Sequence, residues 1–113
     1  VEVFGLRWAG FREIPYIMGE WAGETQDFTD IIDRVSATDP DILVTHAPAA
    51  GILDTNAHGA VKGINALATA IAYRLRNVKA HFFGHVHEHG GQDVTEMGIR
   101  FVNGAETCRL IEM

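Results

Sequence analysis

Cysteine is nearly absent: Cys108 is the only one in the chain, so no internal disulfide can form and a reducing compartment is the expected setting. No apolar run reaches the roughly 18 residues a membrane-spanning helix needs, and no basic-then-apolar leader opens the chain. A soluble, cytoplasmic protein with no membrane partner is therefore expected. Positive charge is also scarce. Nine Lys and Arg stand against 15 Asp and Glu, a net charge of −6, and no basic cluster offers a charge-based grip on nucleic-acid phosphates. A polyanionic substrate fits poorly unless a bound cation reverses the local sign. Gly90-Gly91 lacks the neighbouring Lys and Ser/Thr that make a glycine-rich loop a phosphate cradle. Cys108, in a late strand, reads as a small buried hydrophobe before a nucleophile. Trp8, Tyr16 and Trp21 read first as packing aromatics.

What is present is a foldable chain. With 113 residues, 47% hydrophobic and 21% charged, it reads as one globular domain over 1–113, or a piece of a larger one. The first residue is Val1 rather than methionine, which leaves open whether a longer chain precedes it. No internal repeat, low-complexity tract or linker interrupts it. Val1 to Trp8 is rich in β-formers and predicts a strand. Ala9 to Gly23 predicts an ordered loop. Phe28, Ile31, Ile32 and Val35 share one face of a helix over about Thr25–Val35, with Asp27 in its first turn. Asp39-Pro40 breaks the pattern before a strand at Asp41–Thr45. Val61, Ile64, Leu67, Ala68, Ile71 and Leu75 predict a second helix ending near Asn77, and Lys79–Phe83 a further strand. Gln92–Glu96, Ile99–Asn103 and Thr107–Glu112 predict an antiparallel meander, with turns at Met97-Gly98 and Asn103-Gly104. Strand, helix and strand in this order predict an α/β fold with parallel pairing.

The chemistry concentrates in histidines. The strand Asp41–Thr45 runs into His46, and Lys79–Phe83 runs into Gly84-His85-Val86-His87. Carboxyl ends of neighbouring parallel strands lie on one sheet edge, roughly 4.8 Å apart. Two imidazoles there can each reach about 2 Å from a shared cation. Gly84 allows the sharp turn and close approach this requires. His46, His85 and His87 are therefore the candidate metal ligands, although a single histidine at a strand end is more often a half-exposed polar residue. Imidazole ligands suit Zn, Mn, Fe, Ni or Cu over Ca or Mg. His81, mid-strand between Ala80 and Phe82, reads as a packed or hydrogen-bonded histidine. His58 and His89 read as loop residues, His89 with a second reading as an added ligand. Asp54 reads equally as a carboxylate orienting a ligand histidine and as a cap on the following segment.

In Asp41-Ile42-Leu43-Val44-Thr45-His46-Ala47-Pro48-Ala49-Ala50-Gly51-Ile52-Leu53-Asp54 and Phe83-Gly84-His85-Val86-His87-Glu88, the chain resembles the calcineurin-like metallophosphoesterases. The likeness is to their small branch with Thr-His-x-Pro-Pro followed by Gly-His-x-His. Val102 to Cys108 is similar to a later Asn-containing turn of such proteins, so the resemblance runs over essentially the whole chain. It implies two sheets packed between helical layers, with this chain forming the C-terminal half as a βαβ unit plus meander. It further implies hydrolysis of phosphomonoesters or phosphodiesters by metal-activated water, His46 and His85 on one ion and His87 on another.

The family's earlier motifs, Asp-x-His, Gly-Asp-x-x-Asp and Gly-Asn-His-(Glu/Asp), do not occur in this chain, and Ala49 replaces the second proline of His-x-Pro-Pro. Three neutral imidazoles without a bridging carboxylate do little to offset the repulsion of two adjacent dications. The expectation is therefore a single divalent transition ion (Mn, Zn or Fe) and a catalytically incomplete chain in which no residue is assigned a catalytic role. A phosphoester would be its substrate once complemented. The alternative is a non-catalytic metal-binding or interaction module. A half-fold leaves an apolar face uncovered, which predicts a homodimer or a partner supplying the missing half.

Overall fold

A computed structural model describes residues 2–15, 24–25, 27–54, 63–84, 86 and 90–104. Its elements in chain order are β1 (Glu2–Val3), β2 (Leu6–Phe11), β3 (Ile14–Pro15), β4 (Glu24–Thr25), α1 (Thr29–Ala37), β5 (Ile42–Thr45), α2 (Asn65–Tyr73), β6 (Ala80–Phe83), β7 (Asp93–Glu96) and β8 (Ile99–Asn103). Six strands form one mixed sheet in the order β1-β2-β5-β6-β8-β7, and β3 pairs with β4 separately. The α/β class expected from the sequence is what forms. A two-sheet sandwich is not built by the described residues, whose strands other than β3 and β4 all join the one sheet.

The four central strands β2, β5, β6 and β8 are mutually parallel, and antiparallel β1 and β7 close the two edges. Register places Leu43 beside His81 and His81 beside Phe101. Because side chains alternate across a strand, Leu43, Phe83, Ile99 and Phe101 point to one face. There they join Ile32 and Val35 of α1 and Leu67, Ala70 and Ile71 of α2 in a single core cluster. Both helices lie on that face and touch each other, with Arg74, just past the end of α2, paired to Asp33 of α1 at 2.8 Å. On the opposite face Val44 is 44% exposed, while Ile42, Ala80 and Val102 are buried.

Several boundaries differ from the sequence expectation. The single strand expected over Val1–Trp8 is a hairpin, because Phe4 and Gly5 both take positive φ (54° and 75°) and reverse the chain. Met97-Gly98 makes the same turn between β7 and β8 (55° and 73°), as expected there. Such paired positive φ values match the twist of the flanking strands. The loop expected over Ala9–Gly23 is partly strand: Ala9–Phe11 continue β2, and Ile14–Pro15 pair with Glu24–Thr25. The first helix starts at Thr29, where Asp27 accepts the Thr29 N–H at 2.9 Å and is held below the usual carboxylate range by the Thr29 hydroxyl and N–H. The second helix is shorter than its apolar period. It stops at Tyr73, where Ala70 O accepts from both Arg74 N and Leu75 N. Leu75 stays buried beyond the end, so the periodicity overran the helix. The meander is also corrected: β7 and β8 are antiparallel, but β8 inserts beside β6 in parallel. Its third expected strand, Thr107–Glu112, lies outside the described residues.

Gly10 sits in β2 opposite Val44 of β5, and a Cβ there would run into the Val44 carbonyl. Gly98 has open space around it and is needed only for its φ of 73°. Gly10→Ala should therefore cost more than Gly98→Ala: about 2–3 kcal/mol for forced overpacking against about 1 kcal/mol for left-handed backbone. Urea unfolding of the two variants checks this, and an equal or reversed order would contradict the close β2–β5 approach.

Candidate metal centre

The parallel strands bring their carboxyl ends to one edge. His46 follows β5 directly, is exposed, and donates its N–H to Phe11 O at the end of β2 at 3.3 Å. Its carbonyl accepts the Gly84 N–H at 2.9 Å. The backbone of His46 is thus hydrogen-bonded to the residue that precedes His85. Gly84 and Val86 are fixed in turn. Val86 N donates to Gly84 O at 2.7 Å, Gly104 N to Phe83 O at 2.7 Å, and Asn103 Nδ2 to Val86 O at 2.9 Å. Asn103 and Val86 are both buried. The residues on either side of position 85 are therefore tied to β5 and β8. His85, His87, His89 and His58 lie outside the described residues, so of the three candidate ligands the structure places His46. Among the described residues no three His, Cys, Asp or Glu side chains converge as a ligand group.

Asp54, weighed above as a ligand-orienting carboxylate or a cap, accepts the Gly51 N–H at 2.8 Å and is buried. It closes the turn of its own loop, in which Gly51 and Leu53 take positive φ (88° and 50°). Gly63 packs against that turn, with no room for a Cβ between Ala50 and the Asp54 carboxylate.

Beneath the edge lies a buried polar link that sequence reading did not assemble. His81 has no solvent exposure, as its mid-strand position suggested, and its ring sits against Phe83 (5.0 Å) and edge-on to Phe101 (5.8 Å). Its Nε2 lies 2.8 Å from Thr45 Oγ1, and that same hydroxyl is 2.6 Å from Ala47 O. A hydroxyl has one proton to give, and a carbonyl can only accept. The Thr45 proton therefore goes to Ala47 O, and His81 must donate from Nε2–H. Among the described residues Nδ1 is left with its lone pair and no partner. Protonating it would bury a charge without an acceptor, so burial pushes the His81 pKa down to about 3 from its ordinary 6.5. The signals for this link were present in the chain: Thr45 and His81 each stand in an apolar run at core-facing positions. Their pairing needs the β5–β6 register, which the sequence does not spell out. Asn103 ends β8, as the strand expected over Ile99–Asn103 places it, and its side chain is bonded across to Val86, a contact the sequence does not spell out.

No family model matches this chain, and no curated protein matches it either.

The depressed His81 pKa gives stability a direction with pH. Unfolded, His81 takes up a proton near 6.5; folded, only near 3. Its contribution is fully present above pH 6.5 and is lost as pH falls from 6.5 toward 3. From this group the protein should be about 2 kcal/mol less stable at pH 5 than at pH 7. Urea unfolding at the two values checks this, with His81→Phe expected to reduce the difference by that amount. An unchanged pH dependence in the variant would contradict a neutral, buried His81.

Proposed function

We propose that this chain is a metallophosphoesterase-like protein equivalent to the C-terminal half of that fold. In this reading a single divalent transition ion is held by His46, His85 and His87. The observation that carries the proposal is the 2.9 Å hydrogen bond from Gly84 N to His46 O, which joins the two histidine-bearing strand ends at one edge. Neutral imidazoles suit Mn, Zn or Fe, and such an ion would supply a polarised, acidified water for phosphoester hydrolysis. The chain's own residues would position the ion. The carboxylates that the family uses to balance a second cation have no counterpart motif in this sequence, so hydrolysis requires complementary residues from another segment or chain.

The second reading is a non-catalytic metal-binding or interaction module derived from the same fold. It is favoured by the Asp54 carboxylate, which is buried and accepts the Gly51 N–H of its own turn. In either reading a second copy of this chain is proposed to pack against the exposed Val44, beside the already buried Ile42, Ala80 and Val102 of the same sheet face.

Metal content and turnover separate these readings. Purified protein should bind about one Mn or Zn per chain, His46→Ala and His85→Ala should each lose it, and the chain alone should hydrolyse bis-p-nitrophenyl phosphate with added Mn only weakly. Absence of any bound transition metal would sink both readings. Vigorous hydrolysis abolished by His85→Ala would overturn the incompleteness. Light scattering of the same samples should give a dimer at micromolar concentration, and a monomer would contradict the proposed pairing.

A further inference from the structure

The Thr45 hydroxyl stands at the junction between the buried core and the candidate ligand loop. It accepts a hydrogen bond from His81, whose ring packs against Phe83 and Phe101, and donates one to the Ala47 carbonyl. His46 lies between the two residues that this hydroxyl connects. The same His46 is tied on one side to Phe11 and on the other to Gly84. Its side chain is exposed, while Thr45 and Ala47 on either side of it are buried. A side chain that stands out from a sheet edge is placed by its backbone, and here the residues on both sides of His46 are joined by a buried hydroxyl.

We propose that His81 and Thr45 are positioning residues: a buried clamp that fixes the His46 turn, and with it the spacing between His46 and the Gly84 segment. The inference deepens the metal-site reading above and rests on it for its consequence. Several features favour a clamp over incidental packing. A fully buried imidazole with one unpartnered nitrogen is a costly way to fill a core position, and a phenyl ring would pack there between two aromatics without that cost. The retained polar atom is aimed at a hydroxyl that reaches the histidine turn. The direction of both hydrogen bonds is forced by proton count, so the clamp has a single arrangement. It does not switch with pH across the neutral range, because protonated His81 has no acceptor for its added proton. Fixed partners of this kind around metal ligands commonly change affinity ten- to a hundredfold when removed.

Two readouts on Thr45→Val, with Thr45→Ser as the conservative rescue, test this. Valine keeps the shape and removes the hydroxyl. Amide hydrogen exchange at His46 and Gly84, followed by NMR, should speed up at least tenfold relative to amides in α2. Zinc affinity measured by calorimetry should fall ten- to a hundredfold, and serine should restore both. Unchanged exchange in Thr45→Val overturns the clamp. Faster exchange with unchanged zinc affinity overturns its positioning role. If the wild type binds no zinc, the metal reading fails by itself, and the exchange comparison still decides the clamp. If Thr45→Val does not fold, His81→Phe decides by the same comparison: faster exchange at His46 and Gly84 relative to α2 supports the clamp, and unchanged exchange overturns it.

Discussion

A single hydroxyl proton orders the interior of this protein. Thr45 can give one hydrogen bond, and the Ala47 carbonyl, which can only accept, takes it at 2.6 Å. His81 must then be the donor, which sets its tautomer, leaves Nδ1 without a partner and keeps the ring neutral. The aromatic walls of Phe83 and Phe101 make this possible by excluding water. The same walls make a charged His81 prohibitive. The polar link therefore extends from the middle of β6 to the end of β5, and the exposed edge inherits its geometry from the dry core.

The edge itself follows from parallel pairing. Four co-directional strands end together at Phe11, Thr45, Phe83 and Asn103, and the residues just past those ends are joined laterally by backbone hydrogen bonds. Gly10 lets β5 come close against β2, and just past β6 the Gly84 N–H bonds the His46 carbonyl. Asn103 completes the edge by using a buried side-chain amide to hold Val86, which an apolar residue of similar size could not do.

Much of this was legible in the sequence, and the failures have physical causes. The apolar period of Phe28, Ile32 and Val35 and the run Ile42–Thr45 marked their elements because burial on one face leaves a repeating trace. The Met97-Gly98 turn was readable from its glycine, whereas Phe4-Gly5 was not: a β-forming phenylalanine before the glycine looked like strand, although it stands fully out at a turn. The end of α2 was hidden because Leu75 re-enters the core after the helix has closed, so hydrophobicity continued past the hydrogen bonds. The histidine edge was legible as strand ends plus residue type. The buried link was not, because a Thr–His pair 36 residues apart exists only once strand register is known. The expected ligands His85 and His87 lie outside the described residues, and their part in the site is proposed on the strength of their neighbours.

The most direct test of this account is the protonation of the His81 ring, observed by long-range proton–nitrogen correlation NMR of the imidazoles in the wild-type protein at pH 7 and pH 5. The expected result is one neutral ring carrying its proton on Nε2, unchanged between the two values. A His81 ring protonated on Nδ1 alone at pH 7, or protonated on both nitrogens at pH 5, would contradict it.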